Sequence, residues 1–533
     1  MIRLFPLAVL LAALLLPCRP CAAGEAGEGF ELKTFEVNGN SLLNDDQVRA
    51  AVILFTGPGR TAADVEKARD ALEKKYHDAG YPAVMVNIPE QTLQDGVVRL
   101  QVIESRIGRV KVTGNRYFTM EKVMKDLPSF TPGAMLYLPD VQKEIGRLNR
   151  SQDIKVDPIM SPGKEVGTID VELKVEDRLP LHGSLELNNR STHDTKDLRL
   201  SAEVHYDNLW QREHSVSLQY QTAPQDTSEM QVLGASYVLP APWERDDQVA
   251  LYAISSNSDT TFASLDEEFR VIGKGKIFGL REVTALPPYK LYSHTLTLGV
   301  DYKHFDQAVG MTASGETTHT PLTYLPLSVS YSASLPDEWG GMTQFNAGLN
   351  LSMRGVVSRE NEFEDARYKA RADYYYFVAG LQRTQKLPRD MGLLVKVDGQ
   401  YADQPLISNE QYVAGGMESV RGYKEGEAAG DEALHGVLEL SFPDPLRGSG
   451  KEKPATKWLQ MSPFLFYDMA ALTIHNPLPG QDGSIKIAGT GAGVRGSMAK
   501  NLEYEVDWAV ALDNTDKIKR HDEMVHFKLK AVF

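Results

Sequence analysis

The chain changes its hydrophobic period about a third of the way along. Up to residue 177, apolar positions mix helical and strand spacing. Phe35-Glu36-Val37 predicts a short strand leading into Asn38-Gly39-Asn40, and Val48, Ala51 and Val52 then recur as on one face of a helix over 44–54. A second helix is predicted from Thr61, where Thr61 and Asp64 have capping spacing and Val65, Ala68, Leu72 and Tyr76 line one side; Gly80 ends it. Strands over 83–88 and 97–103 follow. The order returns after Arg106, with Val37, Gly39 and Asn40 recurring as Val112, Gly114 and Asn115 at an offset of 75. Helices over 119–127 and 140–149 and strands over 154–160 and 168–175 complete the second copy. A duplicated α+β module is therefore expected over 30–106 and 107–177.

After Arg178 strict alternation takes over. Leu198, Leu200, Ala202, Val204 and Tyr206 are separated by Arg199, Ser201, Glu203 and His205. Leu296 to Tyr302 alternate in the same way, as do Leu325, Leu327, Val329 and Tyr331 with Pro326, Ser328 and Ser330. Leu502, Tyr504, Val506, Trp508, Val510 and Leu512 face away from Glu503, Glu505 and Asp507. Such segments run about ten residues, the length of a strand that crosses a bilayer rather than the five or six of a soluble one. Tyrosines recur near their ends, as an interfacial girdle requires. The chain closes on Val525, Phe527, Leu529, Ala531 and Phe533, alternating to a C-terminal phenylalanine. The 178–533 region, at roughly 22 residues per strand and connection, predicts an all-β transmembrane barrel of about 16 antiparallel strands with a water-filled lumen.

Composition alone points elsewhere. The 533 residues are 42% hydrophobic and 24% charged, and the mean hydropathy is -0.31, values typical of soluble proteins. A barrel escapes this average because half of each strand faces water. The one continuous apolar run, residues 4–16, is too short for a membrane helix. With Arg3 before it and Cys21-Ala22-Ala23 after it, it predicts a signal peptide over 1–23. A lipobox reading of Leu15-Leu16-Pro17-Cys18 is disfavoured by Pro17, where a small residue is needed. Cys18 and Cys21 both lie in the leader, so the exported chain is expected to lack cysteine. The net charge of -15 speaks against a nucleic-acid partner. About half a dozen residues separate the predicted cleavage site from Phe30, so no N-terminal plug helix is expected.

One segment breaks the ladder. Gly415-Gly416-Met417-Glu418-Ser419-Val420-Arg421-Gly422-Tyr423-Lys424-Glu425-Gly426 is too rich in glycine for a regular strand and predicts a shaped loop around 415–430. Downstream, Phe464, Phe466 and Asp468 share one strand face and Leu465, Tyr467 and Met469 the other. The lipid face must be the uncharged one, so Asp468 points into the lumen. Such a carboxylate needs a partner, and the guanidinium of Arg421 is the candidate.

These residues carry a resemblance. The tandem modules resemble two POTRA domains, and Val420-Arg421-Gly422-Tyr423 resembles the VRGY/F tip of the lumen loop in POTRA-plus-barrel transporters. Phe466-x-Asp468-x-Ala470 is similar to the family's second signature, F/G-x-D-x-G, with alanine where glycine is usual. Two modules and the fuller string Gly-Gly-x-x-Ser-Val-Arg-Gly-Tyr resemble most closely the TpsB transporters of two-partner secretion, the haemolysin and adhesin secretion-activation proteins. The resemblance implies an outer-membrane protein, with POTRA domains in the periplasm, that translocates a partner exoprotein. It implies that Phe533 is a barrel-assembly signal, that Asp468 pairs with the loop arginine beside Phe466, and that outer-membrane lipid and the barrel-assembly machinery are further partners. The Arg421 loop is then expected to be the main obstruction in the lumen.

Other signals read as non-chemical. Gly491-Ala492-Gly493-Val494-Arg495-Gly496 spells a dinucleotide fingerprint, but the alternating strand from Leu502 follows it where a crossover helix is needed. Twelve histidines lack metal-ligand spacing along the chain, so no metal and no cofactor are expected. No G-x-S-x-G elbow is present, no catalytic residue is assigned and no enzyme is expected. The acidic stretch from Glu360 to Asp365 reads as a solvated loop. The alternatives are a barrel-assembly factor of the same superfamily, which depletion would reveal through many mislocalised proteins, and a membrane-embedded enzyme, which a nucleophile-directed probe would trap.

Overall fold

The structure is a computed structural model that describes residues 29–193, 195–244, 246–258, 260–264, 267–271, 274–310, 317–446 and 458–533. The predicted signal peptide, and with it the expectation about a plug helix, falls outside the described residues. The chain divides into two units, Met1–Leu179 and Pro180–Phe533.

In the first module of the N-terminal unit, Val97–Glu104 is the central strand, parallel to Thr34–Asn38 and antiparallel to Val84–Asn87. Helices Asp45–Val52 and Ala62–Asp78 cover one face, burying Val48, Val52, Ala68, Leu72 and Tyr76 against Val84, Val86, Leu100 and Val102. Both helices start where side chains satisfy their first free N–H groups. The Gln47 N–H donates to the Asn44 side chain at 2.8 Å and the Asn44 N–H to that of Gln47 at 3.1 Å. At the second, the Thr61 N–H and hydroxyl donate to the Asp64 carboxylate at 3.1 and 3.0 Å. A two-stranded piece absent from the sequence reading, Phe30–Leu32 with Gly57–Arg60, seats Leu32 with Val65 and Val98.

The second module repeats the plan, with Thr168–Asp177 between parallel Arg106–Thr113 and antiparallel Ile154–Pro162. The repeated Gly-Asn pair has a geometric cause. Gly39 and Gly114 adopt φ of +81° and +84°, and a Cβ there would lie 2.4 Å from the Val102 carbonyl oxygen and 2.3 Å from that of Val175. Asn40 and Asn115 follow each glycine and donate to the Leu43 and Phe118 carbonyls at 2.8 and 2.9 Å. Each pair turns the chain from the first strand toward the first helix.

The second unit is a closed antiparallel barrel of sixteen strands, counting Thr317–Tyr324 and Leu327–Pro336 as two pieces of one. Both pieces pair with Ser293–Gly310. Pro326 has no N–H to give the ladder, but register and alternation run through it: Lys303 pairs with Tyr324 and Val300 with Leu327, and the Pro326 carbonyl still accepts from the Asp301 N–H at 3.1 Å. The last strand, Glu523–Val532, closes on the first, Leu181–Asn188. Phe533 and Gly183 extend the seam by exchanging backbone hydrogen bonds of 2.8 and 2.9 Å. Leu218, Leu251, Leu298, Leu434 and Leu465 are exposed on the outer face, an apolar belt that suits lipid and that water would disfavour. Among the described residues no helix is long and apolar enough to cross a membrane.

The acidic stretch is a correction. Glu360–Ala366 is a helix, and Phe363, at its centre, is completely buried with Tyr252, Ile254, Phe305, Leu322, Tyr324 and Tyr374. Charge density gave no sign of this because one aromatic among four acids decides which face is inward.

Candidate functional site in the barrel lumen

The segment between Met391–Ala402 and Glu432–Ser441 leaves the wall and folds inward. Short strands Tyr412–Ala414 and Ala428–Gly430 pair at its base, and between them lie Val420 and Tyr423, both without exposed surface. Gly415, Gly416 and Gly422 hold φ between +97° and +110°, the left-handed backbone that a shaped loop needs and most residues avoid. The Gly422 N–H donates to His526 at 3.1 Å, and the Tyr423 hydroxyl donates to the carbonyls of Ala488 and Asp513 at 3.1 and 2.9 Å.

Arg421 lies among carboxylates from three strands. Its Nε and Nη2 donate to the two oxygens of Asp468 at 2.7 and 2.8 Å, and its backbone N–H adds a third bond at 3.1 Å. Its Nη1 stands 3.5 Å from Glu439 and 3.9 Å from Asp507. The guanidinium carbon lies 3.5 Å from the centroid of the Phe466 ring, so the cation is held edge-on by acids and face-on by an aromatic. Arg495 pairs with Glu439 and stacks over Phe464 at 4.5 Å. Arg421 and Asp468 are 6% and 0% exposed, and an ion pair this deep is strongly destabilised when one partner is removed.

The strand Ser484–Met498 makes room for this packing. A Cβ at Gly489 would lie 1.9 Å from the Arg421 carbonyl oxygen, and one at Gly491 or Gly493 would meet the ring of Phe466 or Phe464 at 2.7 or 2.4 Å. The apparent dinucleotide fingerprint thus lies within a glycine-rich stretch of barrel strand against which the loop rests. Ala470, the departure from the signature, is buried beside Val420 and Tyr423, where its methyl is accommodated.

A family comparison decides what this arrangement belongs to. Residues 167–496, well over half of the chain, match the haemolysin secretion/activation protein family ShlB/FhaC/HecB. The chain belongs to that family. Residues 30–105 match its POTRA domain, ShlB-type. Among curated relatives, the outer membrane transporter CdiB of Dickeya dadantii is 22% identical over 79% of this chain and 74% of its own. The heme/hemopexin transporter protein HuxB of Haemophilus influenzae is 20% identical over 92% and 85%. The solved structure of CdiB from Escherichia coli superposes with a TM-score of 0.64 at 17% identity over 98% of this chain and 94% of that one. BamA from Haemophilus ducreyi shares the fold at a TM-score of 0.57 and 15% identity, over 95% of this chain and 100% of that one. As a ShlB/FhaC/HecB family member the protein is an outer-membrane transporter of two-partner secretion with its POTRA domains in the periplasm.

Several members of the site escape sequence reasoning. Glu439, Asp507, Arg495 and His526 come from four different strands, and only the inward face of Leu502–Ala511, with its acids, gave a sign of one of them. The expectation that the Arg421 loop is the main obstruction also changes. The connection carrying the helix Glu360–Ala366 turns inward as well, and Arg367, directly after it, makes a two-pronged pair with fully buried Asp431, at 2.7 Å through Nη2. Asp431 further accepts the N–H groups of Leu406 and His475 at 2.9 and 2.7 Å. Nearby, Glu410 accepts from Lys303, Tyr324 and Tyr376 at 2.7, 2.6 and 2.8 Å. Two inward segments share the barrel interior, each pinned by an arginine on a buried aspartate.

Proposed function

We propose that the protein conducts one unfolded exoprotein and that the seat of Val420-Arg421-Gly422-Tyr423 on Asp468 is the element that yields during passage. The observation that carries this reading is the two-pronged Arg421–Asp468 pair, which fixes a non-strand segment inside a barrel through groups that have no water to replace them. The passenger enters by adding as an extended strand to a POTRA sheet edge, Ile154–Pro162 among them, through main-chain hydrogen bonds. No nucleotide is available in the periplasm, so folding of the passenger outside the cell makes retreat unfavourable. The 1–23 leader, the domain limits at 30–106, 107–177 and 178–533, the role of Phe533 in recognition by the barrel-assembly machinery, and the lipid contact of the outer belt belong to the same reading. The expected chemistry is binding and passage, with no covalent step. Arg421→Ala leaves an inserted, heat-modifiable barrel while partner secretion falls sharply; undiminished secretion by that variant would remove the loop from the mechanism. Depletion mislocalises one exoprotein, and a general loss of outer-membrane proteins would favour an assembly factor instead.

A further inference from the structure

We propose that His182, His205 and Asp207 form a site for one divalent transition-metal cation on the lumen face of the first two barrel strands. The strands Leu181–Asn188 and Arg199–Leu209 are antiparallel, and their register sets His182 directly opposite His205. Leu181, Leu185 and Val204 are exposed on the outer face, so alternation turns His182, His205 and Asp207 inward, where all three are half-buried. The imidazole centroids are 5.0 Å apart. One ligand atom from each of the three residues lies within 4.8 Å of the others. Tetrahedral zinc holds its ligands at about 2.0–2.2 Å, so closing the site requires only small side-chain rotations on a rigid backbone.

The surroundings of His205 separate the roles of its two nitrogens. Nε2 is 3.6 Å from an Asp207 oxygen, while Nδ1 is 3.9 Å from Glu203. Nε2 therefore shares the metal with Asp207, and a small rotation of Glu203 would bring its carboxylate from 3.9 Å to within reach of the Nδ1 proton, the carboxylate–histidine–metal arrangement that orients a ligand ring. Two imidazoles with one carboxylate select zinc, cobalt, nickel or copper over magnesium or calcium, which want oxygen ligands. Water supplies the open position. Spacing along the chain gives no sign of this candidate site, because its two histidines stand on different strands. A bound ion would clip together the two strands next to the closing seam.

The test uses the full chain without a histidine tag, in detergent micelles and stripped with chelator, titrated with Co(II). The wild type is expected to bind one equivalent with visible ligand-field bands that Zn(II) abolishes, and to unfold at higher temperature when loaded. His205→Gln and His182→Gln are expected to lose the bands, and Glu203→Gln to weaken binding by about tenfold as an orienting group does. Heat-modifiable mobility in gels checks that each variant retains its barrel, and any one correctly folded histidine variant suffices. Absence of bands in the wild type, or bands unchanged in a folded histidine variant, overturns the site. Secretion by unloaded protein addresses the transport reading separately.

Discussion

The same two side chains pair in both units of this molecule with opposite consequences. In the second POTRA module Arg109 meets Asp170 at 2.6 Å, with side chains 67% and 20% exposed. In the barrel Arg421 meets Asp468 at 2.7 Å, with 6% and 0% exposed. Water and salt screen the first pair, and water competes for both of its partners. The second has lost its water already, so each partner is the other's only adequate solvation. The modules rely mainly on apolar cores under helices, with one buried pair, Lys122–Asp126, in the second, whereas the barrel exposes an apolar belt on its outer face and holds both buried ion pairs and the aromatic cluster around Phe363 inside. A specific inward conformation is therefore held in the barrel by ion pairs that would be incidental on an exposed module surface.

The sharpest way to break this contrast is Asp468→Ala. It leaves Arg421 with only longer contacts to Glu439 and Asp507, and breaking a buried pair costs about 3–5 kcal/mol. The 415–426 loop should become protease-sensitive in an intact barrel, and single-channel conductance should rise less than full clearance would allow, because the segment pinned by Arg367 on Asp431 remains. Next in size is Gly114→Ala in the second module, where backbone shape rather than charge is at stake. A methyl 2.3 Å from the Val175 carbonyl oxygen at a positive φ should cost about 1–3 kcal/mol, read as faster amide exchange in 107–177 of the full chain. Asp507→Asn should move stability the other way. Among the described residues neither Asp507 oxygen, both buried, has a hydrogen-bond partner, and Arg421 stands at 3.9 Å, so removing its charge should stabilise the barrel by about 1 kcal/mol in denaturant. An unfolding midpoint below that of the wild type would show that Asp507 is needed to balance Arg421.

The smallest effect is expected from Asp170→Asn. The Arg109 guanidinium holds the Asp170 carboxyl below its ordinary range. A carboxyl lowered in the folded state adds stability above its unfolded value and loses it only as pH falls into the acid range. The neutral-pH melting temperature therefore shows the full contribution of this exposed pair, and no measurable change is expected. A large drop would mean that exposure does not set the weight of an ion pair here.

Much of this was legible in the residues. Helical spacing at Val65, Ala68, Leu72 and Tyr76, the repeat of Gly39-Asn40 as Gly114-Asn115, and strict alternation from Leu198 onward each depend on neighbours within a turn or a strand. Charge density failed as a guide at Phe363, where a single inward aromatic overrides the acids around it.

Local periods thus determined by themselves that two α+β modules precede a barrel, which strand face points out of the wall, and that a glycine-rich segment around Arg421 departs from it. Only the tertiary structure decided which charges share the interior. Asp468, Glu439 and Asp507 gather around Arg421, and His182 comes opposite His205, because sixteen strands close at one register. Closure brings distant positions within a few ångströms, and hydrophobic alternation gives only the side of the wall on which each one stands.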